Sequence, residues 1–236
     1  MAKKSFNLKS VKEIALRNKP LIVLLILCVV MSIMNDRFWT WGNIITVLRQ
    51  TSINAIIAAG MTFAILIGGI DLSVGSVLAI CGAIAATLIS SGMDVVLVIL
   101  LTLLLGLGIG LINGLLISKG RLQPFIATLG TMTLLRGFVL VYTQGKPITT
   151  SGGAGSPIFS KIGTGYFLHI PIPIYIMLLV FIIAYYILRH LRMGRYIYAL
   201  GSNEEATMYS AIKTDNVKLF VYSAAGMLAA LAGIII

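Results

Sequence analysis

The sequence predicts an all-α fold, a polytopic bundle of transmembrane helices that includes a broken helix. Of its 236 residues, 58% are hydrophobic and only 11% are charged. The mean hydropathy is +1.02. The uncharged apolar runs at residues 53–67 and 77–89 flank the segment GGIDLSVGS at residues 68–76. Long apolar runs of this kind indicate membrane spans, and lipid favours helices because they satisfy their own backbone hydrogen bonds.

The break in the helix is predicted at residues 68–76. Glycines at 68, 69 and 75 surround a carboxylate and a hydroxyl, which makes a continuous helix unfavourable there. Asp71 or Ser73 would cap the helix that follows, since both side chains accept hydrogen bonds from a first turn. An ionisable residue within a membrane segment also indicates a translocation path. Two interpretations therefore stay open, a path lined by Gly68, Gly69, Asp71, Ser73 and Gly75 or a tight connection in which Asp71 only caps.

The chain divides into a basic cytoplasmic tail, residues 1–19, and a transmembrane domain, residues 20–236, which includes a cytosolic loop at residues 189–218. The first span is predicted at residues 20–34, short for a full crossing of about 20 residues. The other spans are predicted at residues 43–69, from the break to 90, and at 95–117, 122–143, 171–188 and 217–236. A polar loop at residues 144–169 is expected to hold a short helix near residues 157–162.

Two of these spans carry small or polar residues that need an explanation. Gly106, Gly110 and Gly114 recur every four residues, so they share one helix face and predict close packing against another helix. Asn113, beside that face, lines a path in the less favoured interpretation. Arg136 lies deep in the fifth span, so we expect it to be buried or partly buried, to face the bundle and to meet a partner.

The long cytosolic loop contains a helix start. Asn203 is a favoured capping residue, and Glu204 and Glu205 follow it in the first turn, where acids interact well with the helix dipole. We therefore predict a short helix outside the membrane at residues 204–211.

The net charge of +11 does not indicate nucleic-acid binding, because most of the 18 cations lie in the tail and in short loops beside apolar spans. This asymmetry predicts a cytoplasmic N-terminus and places the basic loops and the break on the cytoplasmic side. The sequence shows no phosphate-binding Gly-Lys-Ser/Thr motif, carboxylate pair, metal-ligand cluster or nucleophile with a base. It therefore predicts neither an enzyme nor a bound cofactor or metal.

Four segments resemble one protein family. They read RQTSINAIIAA at residues 49–59, GGIDLSVGS at 68–76, PFIATLGTM at 124–132 and ALGSNEEATMYSAI at 199–212. In this order they resemble the permease subunits of bacterial ABC importers for ribose and related monosaccharides. The resemblance extends from about residue 40 to residue 236.

The resemblance implies a multi-pass protein of the bacterial inner or plasma membrane that forms the translocation pathway as a homodimer or heterodimer. It also implies a separate cytosolic ATPase and a periplasmic or lipid-anchored sugar-binding protein. The ATPase would dock on residues 201–212, with these candidates: Gly201, Asn203, Glu204, Glu205, Ala206 and Ser210. Permeases of this family are longer, so we expect a C-terminal truncation that leaves polar groups such as Arg136 or Asn113 without partners.

Two other functions fit a polytopic membrane protein. An ion-coupled secondary sugar transporter would favour acids near the bilayer midplane and inverted repeats, and only Asp71 is a candidate for such an acid. A structural scaffold would not explain the capped cytosolic helix. Dependence of uptake on ATP or on an ion gradient separates the first alternative from an ABC importer.

Overall fold

A computed structural model describes residues 19–148, 150, 153 and 155–236. The predicted cytoplasmic tail therefore lies outside the described residues, apart from Lys19. The described chain is mostly helical, and its strands form one two-stranded antiparallel ribbon, β1 (Tyr166–Phe167) and β2 (Ile170–Pro171). Its helices are α1 (Lys19–Met34), α2 (Trp41–Leu66), α3 (Val74–Ser90), α4 (Val95–Ser118), α5 (Pro124–Thr143), α6 (Ser156–Thr164), α7 (Ile172–His190), α8 (Arg192–Ser202), α9 (Glu204–Tyr209) and α10 (Thr214–Ile235).

The predicted bundle of transmembrane helices is confirmed. Five helices, α2, α4, α5, α7 and α10, are long and apolar enough to cross a membrane. Two shorter apolar helices, Leu21–Met34 and Val74–Ser90, occupy the first and third predicted spans. The sequence missed α8, which buries Gly194, Ile197 and Leu200 on one side and exposes polar residues on the other. Its eleven residues are too short and too polar to read as a span.

The described residues form two compact units, which divide between Val47 and Leu48. In the first unit, most apolar side chains of α1 are exposed, from Leu21 at 54% to Met34 at 76%. The Trp39 indole Nε1 donates a hydrogen bond to the Ser32 hydroxyl across 2.7 Å. Trp39 and Trp41 are also largely exposed, which suits rings at a membrane surface.

The second unit is organised around α10, which packs most closely against α4. The predicted glycine face of α4 is at this contact. A Cβ added at Gly106 would overlap the Gly226 carbonyl of α10, and one at Gly110 would overlap the Tyr222 carbonyl. At Gly114 an added Cβ would lie 3.0 Å from the Leu219 Cα. The helices approach this closely because the three glycines give α4 no side chains at the contact.

One end of the second unit, the basic end, gathers the helix break, the loop at residues 119–123, α8, α9 and the start of α10. Here the Lys119 ammonium lies 2.7 Å from the Asp215 carboxylate, joining the end of α4 to the start of α10. Gly201 of α8 packs so closely on the Leu66 carbonyl that a Cβ would overlap it.

The opposite end, the loop end, gathers residues 91–94, the described residues of the segment 144–171 and the end of α10. A Cβ added at Gly163 of α6 would overlap the Ile235 carbonyl of α10. The Arg49 guanidinium donates to the Thr164 carbonyl across 3.3 Å and lies 5.2 Å from the Tyr166 ring centroid. The basic loops thus lie at one end and the long polar loop at the other, as the alternation of spans requires.

The prediction that Arg136 is buried in the bundle is wrong. Its side chain is exposed on α5, near the exposed Leu134 and Leu140. The physical reason is the limited packing of α5, which buries only Ala127, Thr128 and Leu135. The rest of its surface is uncovered by the described chain.

Candidate functional site

The first half of the helix break is a glycine cap that ends α2. Gly68 adopts a φ of 76°, in the left-handed region that favours glycine. Its N–H donates to the Ile65 carbonyl and the Gly69 N–H donates to the Ala64 carbonyl, both across 2.9 Å. This pair of bonds is a Schellman motif, which satisfies the last carbonyls of a helix. A Cβ at Gly69 would overlap the Tyr222 hydroxyl, so a larger residue there would require the Tyr222 side chain to shift.

The second half of the break is organised by Asp71, which is only 1% exposed. Its Oδ1 accepts hydrogen bonds from the Ser73 backbone N–H across 2.8 Å and from the Ser73 hydroxyl across 2.6 Å. Ser73 is the residue before α3, and its side chain makes no bond to the first turn. The prediction that Asp71 or Ser73 caps α3 is therefore wrong for both side chains, because the Ser73 oxygen accepts from the Asn113 amide and the Asp71 Oδ1 accepts from Ser73 and not from the first turn of α3. The Asp71 carboxylate instead fixes the backbone just before the helix.

A buried chain of hydrogen bonds ties the break to two other helices. The Asn113 amide of α4 donates to the Ser73 hydroxyl across 2.9 Å. The Asn113 carbonyl oxygen accepts from the Thr131 hydroxyl of α5 across 2.6 Å. Asn113 is fully buried. The expectation that it lacks partners is wrong, since both halves of its amide are bonded.

Thr128 adds a second link between the break and α5. Its hydroxyl accepts from the Leu72 N–H across 3.2 Å and lies 3.3 Å from the Ile70 carbonyl. Buried polar groups of this kind are costly when unpaired and specify one arrangement when paired. The break thus joins α3, α4 and α5 in this conformation through Ser73, Asn113 and Thr128. The role of Asp71 in a translocation path stays a prediction. Gly75 in the first turn of α3 is exposed, with open space where a Cβ would lie.

A cavity of about 1280 Å³ opens beside the break at the basic end. Its walls include Gly68 and Gly69, the loop after α4, α9 and the first turns of α10. The hydroxyls of Ser118 and Tyr222 are buried at this cavity without a hydrogen-bond partner among the described residues. The helix break therefore lies beside an open cavity, which leaves room for its backbone to change conformation.

The predicted cytosolic helix is present as α9. The Asn203 side chain caps it by accepting from the Ala206 N–H across 2.9 Å. The helix ends at Tyr209, two residues before the predicted end, because Ala211 adopts a left-handed φ of 58°. Glu204 forms an ion pair of 2.6 Å with Lys218 of α10, which fixes α9 against the bundle.

The six candidate docking residues are all exposed: Gly201, Asn203, Glu204, Glu205, Ala206 and Ser210. The structure also exposes Met208 by 58% and Tyr209 by 91%, and the sequence analysis missed both. Two large exposed side chains on a short helix indicate a contact surface. The sequence carried no separate signal for them, because the face of α9 that packs on the bundle, marked by the buried Thr207, is known only from the structure.

Comparison with known proteins identifies the family. Residues 43–236 match a family model described as the permease component of a branched-chain amino acid transport system. The chain belongs to this permease family.

Several curated relatives are similar over almost the whole permease. The ribose import permease RbsC of Haemophilus influenzae is 53% identical over 221 residues, which cover 94% of this chain and 68% of that one. RbsC of Bacillus subtilis is 51% identical over 218 residues, covering 92% and 67%. The fructose import permease FruF of Bifidobacterium longum is 42% identical over 193 residues, covering 82% and 54%. The permease thus spans about two thirds of the RbsC relatives, and no solved structure matches it.

Proposed function

We propose that the permease is the membrane subunit of an ATP-driven importer for ribose or a related monosaccharide. The observation that carries this proposal is the 53% and 51% identity to two ribose import permeases, over more than nine tenths of this chain. In this proposal the protein lies in the bacterial inner or plasma membrane with its N-terminus in the cytoplasm. Two permease chains, identical or different, form the pathway.

The partners proposed are a cytosolic ATPase and a periplasmic or lipid-anchored sugar-binding protein. The position of α9 at the basic end supports the first, since α9 is capped, charged and exposed there. The long loop at the opposite end, residues 144–171, offers a surface for the second. ATP hydrolysis is assigned to the ATPase and not to this chain.

The function is tested by ribose uptake. Cells that lack their own ribose permease would produce a permease that contains these 236 residues at the full length of its relatives, together with its ATPase and binding protein, because the 236-residue chain by itself is expected to support no uptake. We expect labelled ribose to accumulate, to depend on ATP and to survive an ionophore that collapses ion gradients. Accumulation that the ionophore abolishes while ATP is maintained would favour the ion-coupled alternative. Competition by unlabelled fructose, allose or ribose would identify the preferred sugar.

Docking of the ATPase on α9 gives a separate prediction. Glu205→Lys should reduce the ATPase that co-purifies with the permease by about tenfold, which corresponds to roughly 1.4 kcal/mol. Glu205 makes no ion pair among the described residues and is exposed, so its charge is available to a partner. Glu204→Lys alone is a poor test, because it breaks the ion pair with Lys218. Exchanging the two charges, Glu204→Lys with Lys218→Glu, preserves that pair and isolates the contact with the ATPase.

The matched control is Asp36→Lys, the same charge change at an exposed residue in the other compact unit. It should leave co-purification unchanged. A normal yield of ATPase with the Glu205→Lys variant would argue against docking on α9.

A further inference from the structure

The cavity beside the helix break has an excess of positive charge. Its lining holds four cations and two acids: Lys119, Arg121, Lys213, Lys218, Glu204 and Asp215. Both acids are already neutralised, by ion pairs of 2.7 Å with Lys119 and 2.6 Å with Lys218. Arg121 and Lys213 are exposed and form no ion pair among the described residues. Two positive charges at the cavity are therefore left without a negative partner in the described chain.

Two long helices begin at the same cavity. α5 begins at Pro124 and α10 begins at Thr214, and both residues line the cavity. The residues before them, Gln123 and Lys213, make no side-chain hydrogen bond to the first turn. The unpaired N–H groups of a first turn and the helix dipole both favour an anion. The starts of these two helices therefore add to the excess positive charge.

Two buried hydroxyls at the cavity point to a ligand. Ser118 is 8% exposed and Tyr222 is fully buried, and neither hydroxyl has a hydrogen-bond partner among the described residues. Both residues line the cavity. The Tyr222 hydroxyl lies beside Gly69, which lines the cavity as well and has no side chain to cover it. Because a buried polar group without a partner is costly, these donors indicate a ligand that accepts hydrogen bonds.

A phosphate group suits this combination of donors and charges. It carries negative charge and several acceptor oxygens, so it can bind cations, helix N–H groups and hydroxyls at the same time. The cavity volume of about 1280 Å³ also leaves space for the molecule that carries the phosphate. Basic pockets between transmembrane helices on the cytoplasmic side are typical sites for the headgroups of anionic phospholipids.

We infer that this cavity binds a phosphate group, carried by an anionic phospholipid or by a soluble phosphate ester. Arg121 and Lys213 supply the charge, and the hydroxyls of Tyr222 and Ser118 donate hydrogen bonds to the phosphate oxygens. The ligand would join the end of α4 to the starts of α5 and α10. The inference goes beyond the proposed function, since it needs no particular sugar and no step of transport.

Direct binding tests the inference and identifies the source of the phosphate. A permease that contains these 236 residues at the full length of its relatives would be purified in a neutral detergent. Dioctanoyl phosphatidylglycerol, dioctanoyl phosphatidylcholine and glycerol 3-phosphate would be titrated into it by calorimetry. We expect phosphatidylglycerol to bind at least about tenfold more tightly than phosphatidylcholine, which has no net charge. Equally tight binding of glycerol 3-phosphate would identify a soluble ester as the ligand. Binding of none of the three, or equal binding of the two lipids alone, would overturn the inference.

Charge removal tests the position of the site. Arg121→Gln combined with Lys213→Gln should weaken binding of the preferred probe by at least about tenfold, since two cations are lost. The matched control is Arg192→Gln combined with Arg195→Gln, because these two cations are exposed at the same end of the permease but do not line the cavity. The control should bind nearly as tightly as the unmodified permease. Equal weakening in both double variants would show general attraction to the basic end and overturn the site.

Tyr222→Phe tests the buried hydroxyl. Without a probe, the midpoint of thermal unfolding should not fall, because the hydroxyl has no partner to lose. Binding of the probe should weaken by about tenfold, since a hydrogen bond to a charged group is lost. Tyr142→Phe, at an exposed position outside the cavity, should change neither quantity.

Two results would overturn the role of the Tyr222 hydroxyl. A lower midpoint without a probe would show that this hydroxyl already has a partner inside the full-length permease. Unchanged affinity would show that it does not contact the ligand. If the Tyr222→Phe variant does not fold, the double variant of the exposed Arg121 and Lys213 still decides whether the cavity is the site.

Discussion

Asp71→Ala should destabilise the permease more than any other single loss of a side-chain hydrogen bond described here. It removes the acceptor of the Ser73 N–H and of the Ser73 hydroxyl, both of which are buried. Each buried group left without a partner costs about 1–3 kcal/mol. The hydroxyl also accepts from Asn113, so the link between the break and α4 weakens as well.

Asp71→Asn separates the hydrogen bonds from the charge. The amide oxygen can accept the same two bonds, so we expect assembly and ribose uptake close to those of the unmodified permease. Uptake would be normalised to the amount of assembled complex, and stability measured as the midpoint of thermal unfolding in detergent. An Asn variant that assembles normally but transports no ribose would show that the charge itself is needed for transport.

Asp94→Ala provides the matched control. Asp94 also accepts two backbone hydrogen bonds, from the N–H groups of Val96 and Leu97, but it is exposed at the start of α4. Water can replace its oxygen there, so its loss should cost only about 1 kcal/mol. Equal losses of stability for Asp71→Ala and Asp94→Ala would contradict the importance given to burial.

Gly110→Ala should produce the second large effect. The added methyl group would overlap the Tyr222 carbonyl of α10, and backbone cannot move aside as a flexible side chain can. Overpacking of this kind costs about 1–3 kcal/mol. The midpoint of thermal unfolding should fall by several degrees, since 1 kcal/mol corresponds to roughly 2–4 °C for a domain of this size.

Gly108→Ala is the control two residues away on the same helix. No atom lies within 4 Å of the position that its Cβ would take. Alanine is favoured over glycine inside a helix by about 0.5–1 kcal/mol, so this variant should be as stable as the unmodified permease or more so. A similar loss of stability in both variants would show that the effect comes from helix propensity or lipid and not from contact with α10.

The helices and their ends were largely predictable because each depends on local sequence. Uncharged runs predicted the spans, and Gly68 and Gly69 predicted the end of α2 because few residues adopt a positive φ. The glycine face of α4 was also visible, since a spacing of four residues places Gly106 and Gly110 on one side. The sequence could not identify α10 as the partner, because that choice depends on how the spans are arranged.

The environment of single polar residues was not predictable. Arg136 and Asn113 are both polar residues within apolar spans, yet one is exposed and the other is fully buried with two partners. A span that is apolar on all sides gives no periodic signal to show which face meets protein. The bonds of Asn113 join residues 18 and 40 positions away in the sequence, so only the assembled bundle creates them.

The pairing of α4 with α10 also has a consequence for the timing of synthesis. Ser118 ends α4 and Thr214 begins α10, so 95 residues separate the two helices. At roughly 5–20 residues per second, a ribosome needs about 5–20 s to make that interval. Throughout this time the glycine face of α4 is in or near the membrane before its partner exists. The nascent chain must therefore keep this face of α4 available until α10 has been made.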